Sequence, residues 1–450
     1  MIKTFINALK VPEIRKRLLF TCFCIVIVRL GCLIPAPSIN HEFFAKFIGD
    51  NTSLGFLDTL TGGSFTEMSI FALNISPYIN ASIIMQLLTI AIPKLEEMQK
   101  DGEDGRKKIN QISRYLTIGL ALIESTAMAI SFGNQTLSDG TTYFKAGEGA
   151  TFSNVIIVVV AFTAGTAFLM WLGERITERG LGNGISIILL INIVARLPID
   201  ARTLVETFII GSSSVIKAII AAVVIIAIIV GMVILIVLLQ DAERRIPVQY
   251  AKKIQGRKMV GGQSSSIPLK VNTSGVIPVI FAMSLLQVPV IIASFFGKQA
   301  SATGTVGEKI LFLISQQHWF STTEGEFKYT LGVLIYIALI VFFAYFYTAV
   351  TFNPIEISNN LKKQSGFIPG IRPGKPTSDY LTDILNKIIF IGAIGLSFVA
   401  ILPIFFMGIF AVRVSFAATS IIIVVGVILE TMKQVESMMA VRHYTGFLEK

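Results

Sequence analysis

Charged residues are scarce in this chain. Asp, Glu, Lys and Arg make up 15% of its 450 residues, against 53% hydrophobic residues. Soluble domains carry about a quarter charged residues, so this composition excludes a large soluble protein. The mean hydropathy of +0.72 indicates instead a protein that crosses a membrane many times. We expect no cleavable signal, because the basic N-terminal stretch "MIKTFINALKVPEIRKRLLF" leads directly into an apolar span.

The common catalytic motifs are also lacking. The sequence contains no Walker A motif, no His-Glu-x-x-His and no Gly-x-Ser-x-Gly. The glycine-rich "GLGNG" at 180–184 lacks the lysine of a phosphate loop, and we expect it to form a tight helix entry. We therefore predict a protein that is not an enzyme and needs no cofactor, so that any energy must come from a partner.

Cysteine is rare as well. Cys22, Cys24 and Cys32 all lie in the first apolar segment. They could be metal ligands or small apolar packing residues. Because Cys22 and Cys24 point to different sides of a helix, packing is the better interpretation, and we predict no metal site.

Long apolar runs are what the chain has in abundance. A helix that spans a bilayer requires roughly 17–25 mostly apolar residues. Judged against this length, ten candidate spans lie near 18–35, 71–92, 115–132, 152–173, 184–195, 216–239, 274–296, 329–352, 384–407 and 415–430. The fifth is too short alone and must borrow residues at its ends or be shielded by other helices. The sixth is apolar all round, which indicates a lipid-facing helix.

The segments between the spans alternate in basic residues. Six alternate segments, starting with 1–17, hold 27 Lys and Arg residues, and the five others hold 8. By the positive-inside rule, both termini are predicted to lie in the cytoplasm. An odd number of spans per half would invert the second half relative to the first. We therefore predict an all-α membrane protein with an N-terminal half at 1–198 and a C-terminal half at 199–450, on the span count alone.

Some spans carry polar residues, which are costly in hydrocarbon unless they face protein or water. The second span contains Asn74, Asn80 and Gln86. They indicate a helix that borders a polar path or a seam between helices, or else they serve only to form hydrogen bonds between helices. Arg29 in the first span either extends to the outer interface or pairs inside the bundle. Glu124 in the third span is its candidate partner.

The longest predicted cytoplasmic loop, 240–272, has the pattern of a strand–turn–strand finger. Ile246, Val248 and Tyr250 alternate with polar residues, as do Ile267, Leu269 and Val271, with "GGQSSS" between the two runs. Pro247 and Pro268 would confine the strands to sheet edges. In the companion loop, 353–383, glycines and prolines from Gly366 to Gly374 predict an irregular conformation.

Both loops are strongly basic. The finger carries Arg244, Arg245, Lys252, Lys253, Arg257 and Lys258, and the companion loop carries Lys362, Lys363, Arg372 and Lys375. Such charge can serve topology and attraction to anionic lipids. It can also dock an acidic protein or RNA phosphates. Docking also explains an ordered finger that stands off the membrane, so we favour it.

Six collinear blocks carry a resemblance to a known family. They are "GGSFTEMSIFALNISPYINASIIMQLL", "MWLGERITERGLGNGISI", "RRIPVQYAKKIQGRK", "SIPLKVNTSGVIPVIFA", "FNPIEISNNLKKQSGFIPGIRPG" and "TSIIIVVGVILE". In order and over nearly the whole chain, they resemble the bacterial SecY family of channel subunits of protein translocases. The resemblance implies a clam-shell of two five-helix halves around an hourglass pore in the bacterial cytoplasmic membrane.

The resemblance also implies site residues. A ring of apolar side chains at the waist would comprise Ile75, Ile79, Ile185, Leu189, Ile280 and Ile423, with Leu189 where isoleucine is common. The segment 55–70 would be the plug, a short helix folded into the outer funnel, and its residues include Phe56, Leu57, Asp58, Leu60, Gly62, Gly63 and Phe65. Its apolar side would pack on the ring, with Asp58 and Glu67 facing water.

The family's lateral gate lies between its second and third helices on one side and its seventh and eighth on the other, which implies gate positions at Asn80 and Gln86. The implied partners are small single-span subunits like SecE and SecG, the SecA motor ATPase, the ribosome through its rRNA phosphates, signal sequences, nascent polypeptides and anionic lipids. Arg257 and Arg372 would make the leading docking contacts.

A protein-conducting channel fits the physics of the sequence. A polypeptide in hydrocarbon leaves its backbone groups unpaired, so it needs a wet route, and an apolar ring seals such a route by dewetting. The alternative is an inverted-repeat secondary transporter. It predicts buried ionisable groups in several central helices, but the spans offer few beyond Arg29 and Glu124. A membrane-embedded enzyme ranks third, since no catalytic set is present.

Overall fold

The computed structural model describes residues 10–40, 43–44, 58, 61–133, 142–145, 151–206, 210, 215–250, 253–255, 258–260, 264–295, 305–314, 319, 331–410 and 418–445. The helices are α1 (Pro12–Leu33), α2 (Ser76–Ala91), α3 (Pro93–Lys100), α4 (Glu103–Gly133), α5 (Phe152–Arg179), α6 (Gly184–Val205), α7 (Val215–Asp241), α8 (Ile277–Phe295), α9 (Val306–Ile314), α10 (Leu331–Thr351), α11 (Pro354–Lys363), α12 (Lys375–Phe410) and α13 (Ala418–Thr445).

The helices follow the predicted spans. Each of the ten spans overlaps one of α1, α2, α4, α5, α6, α7, α8, α10, α12 or α13. By length and composition, six helices in the described part of the chain can cross a membrane, and a seventh is gained if α2 and α3 count as one bent span. The protein is therefore a mostly helical, multi-pass membrane protein.

The two unusual spans behave as predicted. The short fifth span does borrow residues, because α6 continues to Val205 and reaches 22 residues. In the most apolar part of α7, within Ala222–Asp241, only 11% is buried inside the protein, as predicted for a lipid-facing helix.

The axis turns by 105° between α2 and α3. Ile92, which joins them, is extended (φ −112°, ψ 111°) and precedes Pro93. A proline disfavours helical backbone at the preceding residue, so the helix ends there. The bend sends α3 away from the axis of α2.

The helices pack in two groups. α2, α4, α5 and α6 form a chain of neighbouring contacts, with α1 against α5 and α6. α8, α10, α12, α13 and α7 form another. Between the groups, α6 contacts α13 and α4 contacts α8. These are two seams between the predicted halves.

The predicted finger, 240–272, forms β-strands. β1 (Glu243–Tyr250) pairs antiparallel with β4 (Ser264–Lys270), with Ile246 opposite Ile267. Between them, β2 (Lys253–Gln255) pairs with β3 (Lys258–Val260). The predicted strand–turn–strand finger is thus present.

A third strand joins this sheet from the companion loop. β5 (Gly366–Phe367) pairs with the end of β1, so the strand order is β4-β1-β5. The prediction that Pro247 lies on an edge strand is therefore wrong, since β1 is central. Pro247 is tolerated because β5 pairs only with Gln249 and Tyr250 and leaves its other side unpaired. Pro268 does lie on an edge strand.

Candidate functional site

One apolar cluster lies where the two helix groups meet, and we call it the waist cluster. Ile75, Leu189 and Ile423 are buried in it, and Ile79, Ile185 and Ile280 are half-buried against it. These are the six residues of the implied ring. They come from both groups of helices, since Ile280 lies on α8 and Ile423 on α13. The structure thus brings all six together.

Local sequence positions the α6 members of the waist cluster. The side chain of Asn183 accepts hydrogen bonds from the backbone N–H groups of Ile185 and Ser186, at 3.1 and 3.5 Å, and so caps α6. Gly182 takes φ +75°, which a side chain would strain. "GLGNG" is therefore a tight helix entry, as predicted. This entry sets the first residue of α6, and so it determines the helix face on which Ile185 and Leu189 lie.

Two of the cysteines pack in the same place. Cys24 and Cys32 are buried in the waist cluster, whereas Cys22 is exposed. Within the described residues, no group of three or more His, Cys, Asp or Glu side chains lies close enough to hold a metal ion. The positions of Cys24 and Cys32 agree with the packing interpretation.

The segment predicted as the plug is only partly described. Phe56, Leu57 and Leu60 lie outside the described residues. Asp58 and Thr61 are helical, and the rest of the expected short helix before Thr61 lies outside the described residues. After Thr61 the chain continues to Ile75 in turns, interrupted at Ser69 by a β-bridge to Pro35. Gly62 and Gly63 adopt positive φ of 67° and 88°, which glycine allows at little cost and which break a helix.

These turns are held by their own hydroxyl groups. Ser64 Oγ donates to the carbonyl oxygens of Thr61 and Phe71, at 2.9 and 3.1 Å. Thr61 Oγ1 donates to the Asp58 carbonyl and accepts from the Phe65 N–H. Local hydrogen bonds of this kind compete with helix formation, which explains the turns.

Two expectations for this segment are wrong. Asp58 was expected to face water, but it is 1% exposed and forms an ion pair with Arg196 of α6. Phe65 was expected against the ring, but it packs in a separate outer cluster beside Phe44. Ile70 does pack against the waist cluster, and Glu67 is exposed as expected.

The outer cluster is rich in aromatic rings. Phe44 meets Phe65, Phe132 and Tyr143 edge to face, with ring centroids 5.0–5.7 Å apart. Burial raises the pKa of Tyr143 well above its usual range, so its hydroxyl stays neutral. This cluster packs the segment 61–75 against α4.

The two ionisable residues of the early spans do not pair with each other. Arg29 Nη1 donates to the Gly62 carbonyl at 3.4 Å, inside the bundle. Glu124 accepts from Asn80 Nδ2 at 3.4 Å. The proposed partnership of Arg29 and Glu124 is therefore wrong. Arg29 instead contacts the segment predicted as the plug.

The seam residues on α2 have different surroundings. Asn80 forms its hydrogen bond within the first helix group, across to α4. Gln86 is half-buried, and its Oε1 has no hydrogen-bond partner among the described residues. Ile83 packs in the core of the second group, with Val279 and Tyr336. α2 therefore lies at the seam with α8 and α10.

The finger and the companion loop share one core, which we call the platform. Ile246, Val248 and Leu269 of the sheet pack with Leu361 of α11 and Ile384 of α12. Ser358 Oγ donates to the Gly374 carbonyl at 2.7 Å, and Thr377 Oγ1 donates to the Arg372 carbonyl at 2.8 Å. Apart from β5, residues 364–374 are irregular, as predicted, and these two hydrogen bonds tie them to α11 and α12.

The basic residues surround this platform. Arg244, Lys362, Lys363 and Arg372 are exposed, and exposed Arg245 pairs with Glu243 at 2.6 Å. The backbones of Lys253 and Lys258 lie on β2 and β3. Lys252 and Arg257 lie outside the described residues. The five exposed cations, Arg244, Arg245, Lys362, Lys363 and Arg372, thus face away from the platform core.

Sequence reasoning missed Arg196 and Asn192, which lie one turn apart on α6. Asn192 is fully buried, and neither of its side-chain polar atoms has a partner among the described residues. A signal was available for Arg196, because a cation at the end of an apolar span requires a partner. Its partner, Asp58, is too distant in the chain for any local pattern to indicate.

These features define a class: a helical membrane protein whose two helix groups meet in an apolar waist beneath a folded-back segment. The fold is similar to a solved SecY structure described as showing that the plug domain stabilises the closed state of the translocation channel and maintains a membrane seal. The TM-score is 0.59, with 16% identity over 96% of each chain. It is also similar to Sec61 in a canine ribosome–channel complex, with TM-score 0.56 and 16% identity over 96% of each chain. The chain thus has the fold of these SecY and Sec61 structures.

Sequence comparison identifies the family. The SecY family model matches residues 69–432. The protein translocase subunit SecY of Streptomyces coelicolor is 41% identical over 459 residues, which cover 100% of both chains. The chain belongs to the SecY family.

Proposed function

We propose that this chain forms the pore through which unfolded secretory polypeptides cross the bacterial cytoplasmic membrane, and from which apolar segments leave sideways into lipid. Its family makes it a protein-conducting channel subunit. The observation that carries the detailed proposal is the waist cluster, in which the six ring residues from both helix groups lie together. Energy would come from a docked partner rather than from catalysis by this chain.

The waist cluster has the physical properties of a seal. A narrow apolar constriction excludes ions by dewetting when it is empty. Its aliphatic side chains offer no fixed hydrogen-bond pattern, so they can repack around any passing residue. Ile79, Ile185 and Ile280 are half-buried, which leaves part of each side chain free to line a path.

The plug and lateral gate belong to the same proposal. Residues 55–70 would close the outer funnel, which the contacts of Ile70 with the waist cluster support. The seam where α4 and α8 meet would open to lipid, with Asn80 and Gln86 beside it on α2. The halves 1–198 and 199–450 would move as the two sides of the clam-shell.

The platform would dock the driving partner. Its exposed Arg244, Lys362, Lys363 and Arg372 suit either an acidic motor such as SecA or the rRNA phosphates of a ribosome. The same charges would place both termini and the platform in the cytoplasm, beside anionic lipids. Small single-span subunits like SecE and SecG would complete the complex.

Cross-linking of a stalled secretory chain tests the pore. The native Cys22, Cys24 and Cys32 are first replaced. Single cysteines are then placed at Ile79 or Ile280. The control position is Ile226 of α7, which is 62% exposed on the surface of the protein. We expect cross-links to the translocating chain at 79 and 280 and none at 226. Equal labelling at all three positions, or none at 79 and 280, would refute the pore.

A further inference from the structure

The segment predicted as the plug is tied to the first helix group by two arginines. Arg29 of α1 donates to the Gly62 carbonyl at 3.4 Å, and Arg196 of α6 forms an ion pair with Asp58. We propose that Asp58, Arg196 and Arg29 form a latch that holds the plug closed. This inference rests on the proposed plug role of residues 55–70.

Asp58 uses both carboxylate oxygens in this latch. Its Oδ1 accepts from the Thr66 N–H at 3.0 Å, which closes the turn of the segment, and its Oδ2 meets Arg196. The Asp58 side chain is 2% exposed and that of Arg196 is 22% exposed. Because water screens this pair only weakly, the attraction is stronger than in a surface pair.

Gly62 lets the segment lie directly on α6. A Cβ at Gly62 would come within 2.7 Å of the Asn192 carbonyl oxygen and 3.0 Å of Arg29 Nη1. Gly62 also has φ +67°, which disfavours any side chain. The backbone of the segment thus contacts α6 one turn from the ion pair, so the seated segment brings Asp58 to Arg196.

Asn192 opposes the latch. It is fully buried, and neither polar atom of its side chain nor Nε of Arg196 has a hydrogen-bond partner among the described residues. A buried amide without partners has lost its hydrogen bonds to water, and it regains them when the covering segment leaves. The ion pair therefore favours the seated plug, whereas Asn192 favours its release.

The effect of the latch on channel closure is measured as resting halide efflux. The assay uses liposomes that contain the reconstituted translocase complex. Asp58→Asn keeps an oxygen for the Thr66 N–H but removes the charge, and Arg196→Gln removes the other charge. We expect each to raise the efflux rate about tenfold, because each leaves one buried charge uncompensated. Arg202→Gln is the matched control, since Arg202 lies on the same helix in an exposed pair with Glu206, and it should match the parent.

The exchanged pair separates a latch from a folding defect. Asp58→Arg combined with Arg196→Asp restores opposite charges, and we expect efflux within about threefold of the parent, whereas Asp58→Arg alone stays leaky. A misfolded channel would not be rescued in this way. In the Asp58→Asn background, Asn192→Leu should lower the efflux about threefold, because it removes the amide that favours release.

Deletion of residues 57–67 distinguishes the two proposals. If the deletion leaks but Asp58→Asn and Arg196→Gln match the parent, the latch is wrong and the plug role stands. If the deletion itself does not raise efflux, the plug role is wrong and the latch with it. A leaky exchanged pair, or a higher efflux with Asn192→Leu, would also overturn the latch.

Discussion

The waist cluster and the platform are assembled by different forces. At the waist, Ile75, Leu189 and Ile423 come from separate elements and meet through apolar contacts alone. In the platform, backbone pairing fixes Ile246 opposite Ile267, and side chains such as Ser358 hydrogen-bond the irregular loop. Apolar contacts have no preferred direction, whereas hydrogen bonds do.

This difference suits the two proposed tasks. A seal that parts for an unfolded chain and then closes benefits from contacts that can be exchanged without loss of hydrogen bonds. A docking surface benefits from a fixed shape, because a partner then loses less entropy on binding. At the waist, a change in side-chain polarity should therefore impair function more than a change in side-chain shape. In the platform, a change in shape should have the larger effect.

The largest effect is expected from a charge at the waist. Ile75 is fully buried, and Ile75→Asp places a carboxylate among apolar side chains, which costs several kcal/mol and draws in water. We expect resting halide efflux to rise about a hundredfold or more. Ile75→Val, which keeps the site apolar, is the control. Equal efflux from both variants would show that the waist does not make the seal.

A truncation in the platform core should have the next largest effect. Ile246 is buried at the centre of the sheet, and Ile246→Ala should destabilise the platform by about 2–4 kcal/mol. Limited proteolysis of loop 240–272 measures this change. Ile355→Ala on α11 is the control, because Ile355 is 64% exposed. If the loop is cut no faster than in the control, the sheet is not the rigid part of the platform.

Charge reversal at Arg372 should weaken docking more modestly. Arg372 is exposed on a loop held by Thr377, so Arg372→Glu should lower the affinity for SecA or ribosomes about tenfold, and less at high salt. Lys309→Glu on α9, beyond the platform and on the predicted outer side, carries the same charge change and should bind normally. Identical affinity of Arg372→Glu and the parent across a salt series would count against docking here.

The smallest effect is expected from a change of shape alone at the waist. Leu189→Ile keeps the volume and the apolar character, and such exchanges usually cost less than about 1.5 kcal/mol. Efflux and secretion rates should equal those of the parent. A marked leak would mean that the waist depends on precise packing, and the contrast with the platform would be lost.

The sequence predicts most strongly where its pattern is local. Alternating Ile246 and Val248 predicted the finger because strand periodicity is visible within eight residues. The strand Gly366–Phe367 has no such pattern, since two residues cannot show a period, so the joined sheet was not predictable. The six waist positions came from the family resemblance, because an apolar row on a helix looks the same whether it faces a pore, a neighbour or lipid.

The buried pair of Asp58 and Arg196 marks another limit. In the linear sequence Asp58 stands among Phe56, Leu57 and Leu60, and Arg196 ends an apolar span, so neither position indicates which charge lies opposite. Only the fold of residues 61–75 brings the two side chains together, and that fold depends on Gly62, Gly63 and several hydroxyl groups acting at once. A long-range ion pair of this kind has no signature in a single sequence.

The two-residue strand β5 has a mechanical consequence. It joins the connection between α11 and α12 to β1, and β1 follows α7 after one residue, Ala242. A force applied to the finger or to the companion loop is therefore shared by α7, α11 and α12. A motor that pushes on the platform would therefore apply its force to several helices of the C-terminal half at once, instead of bending one loop.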